Sequence, residues 1–152
     1  MVRLLSSDGQ EMEMLEQAIV AASETIRAII TEEGHATGAI PLPDVTAATL
    51  SLVVDHVHRH FDVDDDLDFG FLPTDPYNYE PLLRIENSAL VDLILGARYL
   101  GVESLVILGC KAVAEQMRGK TIEEIRELFQ IVNDYTKEEE EEVRRENAWA
   151  FE

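Results

Sequence analysis

The chain is organised around one stretch near its C-terminal end, Arg118-Gly119-Lys120-Thr121-Ile122-Glu123-Glu124-Ile125-Arg126-Glu127-Leu128-Phe129. Thr121 and Glu124 have the spacing of a capping box, in which the hydroxyl of the first residue accepts a hydrogen bond from the amide three residues on. Thr136 and Glu139 repeat that spacing further along the chain. The pattern therefore predicts two helices joined by a short connector.

The first of these helices is amphipathic. Ile122, Ile125 and Phe129 fall at i, i+3 and i+7, and Leu128 widens them into one apolar stripe. A stripe of this kind needs a partner surface, and by its spacing alone the simplest partner is the core of the same chain.

The second helix, residues 136–147, has Val143 as its one aliphatic residue and is otherwise strongly charged. Pairs such as Glu140 and Arg144 at i,i+4 contribute only about 0.2–0.5 kcal/mol each. The helix is followed by Trp149, so we interpret it as half of an interface. The alternative is a frayed, solvated terminus.

Five segments of this tail carry a family resemblance: Arg118-Gly119-Lys120-Thr121, Glu123-Glu124-Ile125-Arg126, Asn133-Asp134-Tyr135-Thr136, Val143-Arg144-Arg145-Glu146-Asn147 and Trp149. They resemble the tail of the Skp family, the adaptor subunits of cullin-based SCF ubiquitin ligases. The last residues, Asn147 to Glu152, are most similar to plant members. The resemblance implies that the tail is a docking surface for F-box proteins.

The first sixty residues predict a small mixed unit with helices over a short sheet. In chain order the pattern indicates a hairpin of 2–5 and 11–14 around Ser7-Asp8-Gly9-Gln10. It then indicates a helix over 15–22, a second helix over 23–31 that Gly34 stops, and an extended edge strand at 39–43. A third helix follows, capped by Thr46, and its buried residues are predicted to be Leu50, Val53, Val54 and Val57. With Ser6-Ser7-Asp8-Gly9 and Ile40-Pro41-Leu42-Pro43-Asp44-Val45, this order is similar to the BTB/POZ-type fold of the Skp family. The expected fold class is α+β and mostly helical.

The second half continues with core helices after a break. Asn87 is predicted to cap a helix over 88–100 with Leu90, Leu93, Ile94 and Ala97 inward and Gly101 at its end, followed by a helix over 102–118 with Leu105, Leu108, Ala112 and Val113 inward. The expected domain organisation is 1–60 as the N-terminal BTB/POZ-type part, 61–80 as an acidic loop or linker, 81–118 as the helices completing that core, and 119–152 as the F-box-binding helices.

The stretch at the end of the acidic loop departs from the family pattern. Residues 62–80 hold seven acidic residues and no basic one, without periodicity. In the family a variable acidic loop is usually followed by a Trp-Asp-x-Glu-Phe stretch. This chain has Asn78-Tyr79-Glu80-Pro81-Leu82 there instead, so no role is transferred to that site.

Composition bounds the function. At 152 residues the chain has the length of one domain, and its net charge of −19, from 31 acidic and 12 basic residues, argues against nucleic acid as a partner. No apolar run approaches the roughly 20 residues of a membrane span, and Met1 to Ser7 has no apolar core of a signal peptide. One cysteine, Cys110, fits a reducing compartment. We therefore expect the protein to be located in the nucleus and cytoplasm.

Two stretches of the sequence carry potential metal ligands. His56 and His60 share a helix face and would hold a metal together with Asp55 or Asp64, but two histidines are too few for a defined geometry, so a solvated helix end is favoured for His56, His58 and His60. Asp62-Val63-Asp64-Asp65-Asp66-Leu67-Asp68 resembles the start of a calcium loop. It lacks the required Gly and Glu in both frames, so only weak ion association is expected.

No catalytic pattern is present in the sequence. Cys110, between Gly109 and Lys111 in a predicted helix, is expected to be a small buried hydrophobe rather than a nucleophile. No phosphate-binding glycine loop or nucleophile elbow occurs. We therefore expect no enzyme activity, cofactor or metal.

The family resemblance implies two binding surfaces. The implied F-box-binding residues are Val113, Met117, Ile122, Ile125, Phe129, Ile131, Asn133, Val143, Asn147 and Trp149. The implied cullin-binding residues are Pro41, Leu42, Arg98 and Tyr99. In the family the usual residues at positions 98, 96 and 122 are Asn, Ala and Pro, where this chain has Arg98, Gly96 and Ile122.

These departures leave two main hypotheses. The first is an adaptor that bridges a cullin N-terminal domain to F-box proteins. The second is an F-box-binding BTB/POZ module that does not engage a cullin and acts as a stabiliser or decoy, with Arg98 as the discriminating residue. A third, a calcium-binding protein or metal enzyme, is tested by calorimetry with either ion. Without F-box protein, an exposed apolar groove would favour a homodimer.

Overall fold

The computed structural model describes residues 1–33, 38–61 and 78–150. The chain forms two compact units, unit 1 over Met1–Arg118 and unit 2 over Gly119–Glu152. Within the described ranges, no helix has both the length and the apolar character that crossing a membrane requires.

Unit 1 begins with a small three-stranded sheet. Strands β1 (Val2–Leu5) and β2 (Glu11–Met14) form the predicted antiparallel hairpin, and Gly9 adopts a φ of 81° in the turn between them. Strand β3 (Ile40–Pro41) pairs in parallel with the other edge of β1, which gives the order β2-β1-β3. The predicted edge strand is therefore confirmed. A proline lacks an amide donor, and it is tolerated in an edge strand because the free side of that strand needs no ladder hydrogen bond.

Five helices and one 3-10 turn complete unit 1 among the described residues. They are α1 (Glu16–Ala22), α2 (Glu24–Glu33), α3 (Ala47–Phe61), the 3-10 turn Glu80–Arg84, α4 (Asn87–Leu100) and α5 (Glu103–Met117). Leu50, Val53 and Val57 of α3 are buried as predicted, whereas Val54 is half-buried. The core extends from Leu4 in β1 to Ala112 in α5. The helices that the sequence predicts one by one therefore pack into a single hydrophobic core.

The start of α3 is held from two sides. Thr46 Oγ1 accepts a hydrogen bond from the amide of Thr49 at 3.4 Å, as its predicted capping role requires. Asp8 Oδ1 accepts from the amide of Ala47 at 2.9 Å and from the Ser6 hydroxyl at 2.6 Å. The Ser6 hydrogen bond is the main reason that the pKa of Asp8 lies below its usual range. The hairpin turn therefore fixes where α3 begins.

The predicted cap was wrong at the start of α4 and correct at its end. The assignment of Asn87 as the N-cap was wrong, because the helix begins at Asn87 and Glu86 is the N-cap. Gly101 ends the helix as predicted, in the left-handed conformation at φ 68°.

Unit 2 contains α6 (Ile122–Leu128), α7 (Lys137–Glu146) and a 3-10 turn over Ala148–Ala150. Both predicted capping boxes are present. The hydroxyls of Thr121 and Thr136 each accept from the amide three residues on, at 3.2 Å in both cases. Local sequence signals therefore place both helices correctly.

Candidate protein-binding surfaces

The apolar stripe of α6 is only half-buried. Ile122, Ile125, Leu128 and the following Phe129 all retain solvent exposure, and neither α6 nor α7 contains a buried residue. Further burial of these side chains would contribute about 25 cal/mol for each Å² of apolar surface removed from water. The stripe is therefore available to add further contacts.

Ion pairs connect the two helices of unit 2. Arg126 of α6 lies 3.7 Å from Glu140 of α7, and Arg144 of α7 lies 3.3 Å from Glu123 of α6. Arg144 also pairs with Glu140 at 3.5 Å, which confirms the predicted i,i+4 pair. The four side chains form a continuous charged network, named here the tail ion network.

Several large apolar side chains of unit 2 are exposed. Trp149 is 76% exposed and Val132 is 84% exposed, while Ile131, Tyr135 and Val143 are also open to solvent. The sequence predictions did not include Val132 or Tyr135 as binding residues. Both lie in the connector between α6 and α7, beside Ile131 and Asn133, which the family resemblance did include.

The two asparagines of the predicted F-box surface shape the local backbone. Asn133 Oδ1 accepts from the amide of Tyr135 at 3.2 Å, which tightens the connector before α7. Asn147 donates from Nδ2 to the carbonyl of Val143 at 2.9 Å, at the end of α7. Both residues therefore have a structural role whether or not a partner contacts them.

Two members of the predicted F-box set belong to unit 1. Val113 is half-buried and packs against the core of that unit. Met117, the last residue of α5, is exposed. Their role in F-box binding stays a prediction from the family resemblance.

The outer side of α4 presents a second exposed surface. Val91, Leu95, Arg98 and Tyr99 fall at i, i+4, i+7 and i+8, so they share one helix face, and all four are exposed. We name these residues the α4 outer face. Leu95, at 60% exposed, is the most open of its apolar members.

The other two predicted cullin-binding residues differ from one another. Pro41 is exposed in β3, whereas Leu42 is only 1% exposed and belongs to the core. The side chain of Leu42 is therefore not on the surface in this structure, although its backbone amide bonds the carbonyl of Leu5 at 2.8 Å. Strand β3 positions Pro41 and buries its neighbour because successive strand side chains alternate.

Packing explains the Gly96 departure. A Cβ atom built on Gly96 would lie 2.7 Å from Thr49 Cγ2 of α3. An alanine at position 96 would therefore require α3 or Thr49 to move. The glycine follows from the close approach of α3 and α4.

The histidines are not all solvated, contrary to the prediction. His56 is 8% exposed, and its Nε2 lies 3.1 Å from Ser104 Oγ of α5. Burial is the main cause that lowers the pKa of His56 to about 4, and it also lowers the pKa of His60. His58 is exposed as expected. The two residues point to different sides of α3, so His56 is buried while His58 remains in contact with solvent.

Cys110 and the acidic residues are the other chemical candidates that the sequence offers. Cys110 is exposed, so its prediction as a buried hydrophobe was wrong; the buried side of α5 is formed by Leu105, Leu108, Gly109 and Ala112. Among the described residues, no three His, Cys, Asp or Glu side chains are grouped to hold a metal. The calcium-like run from Asp62 to Asp68 lies outside the described residues.

Comparison with known proteins covers both ends of the chain. The tetramerisation domain of the Skp1 family matches residues 1–62, and the dimerisation domain of the same family matches residues 103–150. The chain belongs to the Skp1 family. Unit 1 of this Skp1-family chain accordingly carries a BTB/POZ-type domain, as predicted, and the fold class is confirmed as mostly helical α+β.

Full-length relatives agree with this assignment. The chain is 45% identical to SKP1-like protein 4 of Arabidopsis thaliana, over all of this chain and 96% of the relative. It is 41% identical to SKP1-like protein 1 of Oryza sativa subsp. japonica, over all of this chain and 95% of the relative. It is also 41% identical to SCF ubiquitin ligase complex protein SKP1a of Dictyostelium discoideum, with 98% and 94% covered.

Proposed function

We propose that this Skp1-family chain is a non-catalytic adaptor of an SCF-type ubiquitin ligase, which bridges the N-terminal domain of a cullin to F-box substrate receptors. The proposal rests on the match of two Skp1-family domains to the two ends of the chain, and a relative of similar length is named as an SCF complex protein. The contribution to ubiquitin transfer would be positional, through the holding of substrate near the reacting enzyme. We propose the nucleus and cytoplasm as its location.

Unit 2 supplies the surface proposed for F-box proteins. Trp149 is a large aromatic residue left mostly exposed, and residues of this type dominate the binding energy of many interfaces. The half-buried stripe of α6 offers further apolar area to a partner helix. An F-box protein that covers both would remove apolar surface that unit 2 leaves in water.

The α4 outer face supplies the surface proposed for the cullin. Tyr99 and Leu95 give it an exposed apolar centre, and Arg98 adds one positive charge beside them. Tyrosine is favoured in interfaces because it combines a large apolar body with a hydrogen-bonding tip.

Arg98 also supports the second candidate function, an F-box-binding module that does not engage a cullin. The residue is exposed in the last turn of α4, where a cation suits the helix dipole without any partner. A long cation in place of the usual Asn would oppose a contact that is shaped for a short amide. The two candidate functions therefore differ in what the α4 outer face binds.

The deciding experiment mixes the chain with an F-box domain and a cullin N-terminal domain, and measures the mass of the complex by size exclusion with light scattering. The adaptor predicts a complex of all three proteins. A complex with the F-box domain alone favours the second candidate, and the absence of both complexes contradicts both proposals.

Two variants act as controls for each other. Trp149→Ala is expected to weaken F-box binding by about 30-fold or more, equivalent to at least 2 kcal/mol for an anchoring aromatic residue, and to leave cullin binding unchanged. Tyr99→Ala is expected to do the reverse. Arg98→Asn then separates the candidates, because only the second predicts that cullin affinity rises.

The free chain is proposed to self-associate through unit 2. Exposed Ile131, Val132 and Trp149 form apolar surface that an unpartnered protein tends to cover. The same light-scattering measurement on the chain alone is expected to give the mass of a dimer, and addition of an F-box domain is expected to dissociate it. A monomeric mass at all concentrations contradicts this part.

A further inference from the structure

A cavity of about 210 Å³ lies in unit 1, where α3, the 3-10 turn Glu80–Arg84, α4 and α5 meet. Its apolar walls are formed by Leu52, Leu82, Ile85, Leu93, Leu105 and Leu108. An apolar cavity of about 150 Å³ in another protein accepts benzene. The present cavity therefore has room for one aromatic ring with a small substituent.

One side of the cavity is polar. Asp55, His56, Arg59 and His60, all from the C-terminal half of α3, line it. Burial lowers the pKa of both His56 and His60, so both imidazoles are neutral at pH 7. One carboxylate and one guanidinium remain, and their charges sum to zero. This wall offers donors and an acceptor without a net charge.

The charge of the whole chain points the same way. A net charge of −19 repels small anions. A cation would meet Arg59 as well as Asp55 on the cavity wall. A neutral ligand with a hydroxyl group avoids both penalties, because the hydroxyl can donate to a carboxylate and accept from a guanidinium.

We propose that this cavity binds a small neutral aromatic alcohol of the phenol class, with the ring against the leucine walls and the hydroxyl toward Asp55 and Arg59. The site uses no residue of the α4 outer face and none of unit 2. It is therefore independent of the proposed adaptor function, and either proposal can fail without the other.

The test titrates phenol, benzoate and benzylammonium separately into the full chain and follows backbone amide shifts by NMR. Phenol is expected to produce saturable shifts around residues 52–60, 80–85 and 105–108, with a dissociation constant on the order of millimolar for a ligand of this size. The two charged probes are expected to bind at least tenfold more weakly. If none of the three probes produces saturable shifts, the proposed site is contradicted. If either charged probe binds more tightly than phenol, the assignment of a neutral ligand is contradicted.

Matched variants locate the binding. Leu82→Phe narrows the cavity and is expected to weaken phenol binding measurably, whereas Leu83→Phe, at a neighbouring residue that does not line the cavity, is expected to leave it unchanged. Asp55→Asn, at an exposed position that does not threaten folding, is expected to weaken phenol binding measurably. Unchanged affinity in both Leu82→Phe and Asp55→Asn overturns the proposal.

Discussion

Units 1 and 2 are stabilised by different means. Every buried hydrophobic residue in the described parts of the chain lies between Leu4 and Ala112, within unit 1. In unit 2, neither α6 nor α7 contains a buried residue; two capping boxes and the tail ion network are its visible supports. Burial of apolar area is the dominant stabilising term in folding, while exposed ion pairs contribute little.

This difference indicates which parts of the chain supply stability and which supply apolar surface for a partner. Unit 1 is stabilised by its closed core and still exposes apolar side chains, among them those of the α4 outer face. A unit without one keeps Trp149 and the α6 stripe available and gains most when a partner covers them. The comparison is sharpened by perturbing each type of support separately.

The largest effect is expected from the core of unit 1. Leu50 is fully buried in α3, so Leu50→Ala should lower the free energy of unfolding by about 2–5 kcal/mol, through lost burial and the cavity left behind. Urea denaturation followed by circular dichroism measures it. Leu95→Ala, at an exposed site, is the control and should change that free energy by less than about 0.5 kcal/mol. A loss below about 1 kcal/mol for Leu50→Ala would contradict a closed core.

The next effect concerns pH and again belongs to unit 1. Folding lowers the pKa of His56 from 6.5 to about 4, so below pH 6.5 the unfolded chain takes up the proton first. The contribution of neutral His56 to stability is thus complete above pH 6.5 and is lost as the pH falls toward 4, by at most about 1.4 kcal/mol per pH unit.

His56→Gln should therefore show a flatter dependence of the unfolding free energy on pH between 6.5 and 4 than the unaltered chain. His58→Gln, at an exposed histidine on the same helix, should keep the original dependence. If the two variants give parallel curves, His56 is not held neutral by burial.

A smaller effect is expected from the caps of unit 2. Thr136→Ala removes the hydroxyl that accepts from the amide of Glu139, and should destabilise α7 by about 0.5–2 kcal/mol. Faster hydrogen exchange at the first amides of α7 is the measurement. Thr136→Ser keeps a hydroxyl and should retain most of the protection; equal exchange in the alanine variant and the unaltered chain would show that the cap is not needed.

The smallest effect is expected from the tail ion network. A double-mutant cycle with Arg126→Gln and Glu140→Gln should give a coupling energy of about 0.2–1 kcal/mol, reduced at high salt because these side chains remain in contact with water. The more exposed pair Glu115 and Arg118 in unit 1 is the control and should couple less. A larger coupling for the control pair would remove the network from the account of unit 2.

The features that could be predicted from the sequence are those set by neighbours along the chain. Both capping boxes, the hairpin around Gly9 and the end of α4 at Gly101 depend on residues within about four positions, where backbone geometry and hydrogen bonding are local. The family resemblance added the two proposed binding surfaces, and it did so through motifs rather than through physical patterns. The predicted F-box set took Ile131 and Asn133 from the connector and left out Val132 and Tyr135, whose exposure no helical periodicity indicates.

What required the tertiary structure are contacts between residues far apart in the chain. His56 is held neutral mainly because the packing of separate elements buries it. At Gly96, Thr49 of α3 comes so close that an alanine would require Thr49 or α3 to move. The exposure of Cys110, the burial of Leu42 and the cavity beside Arg59 likewise follow from how separate elements pack. Hydrophobic periodicity gives the face of one helix, whereas which surface covers that face is decided only when the elements assemble.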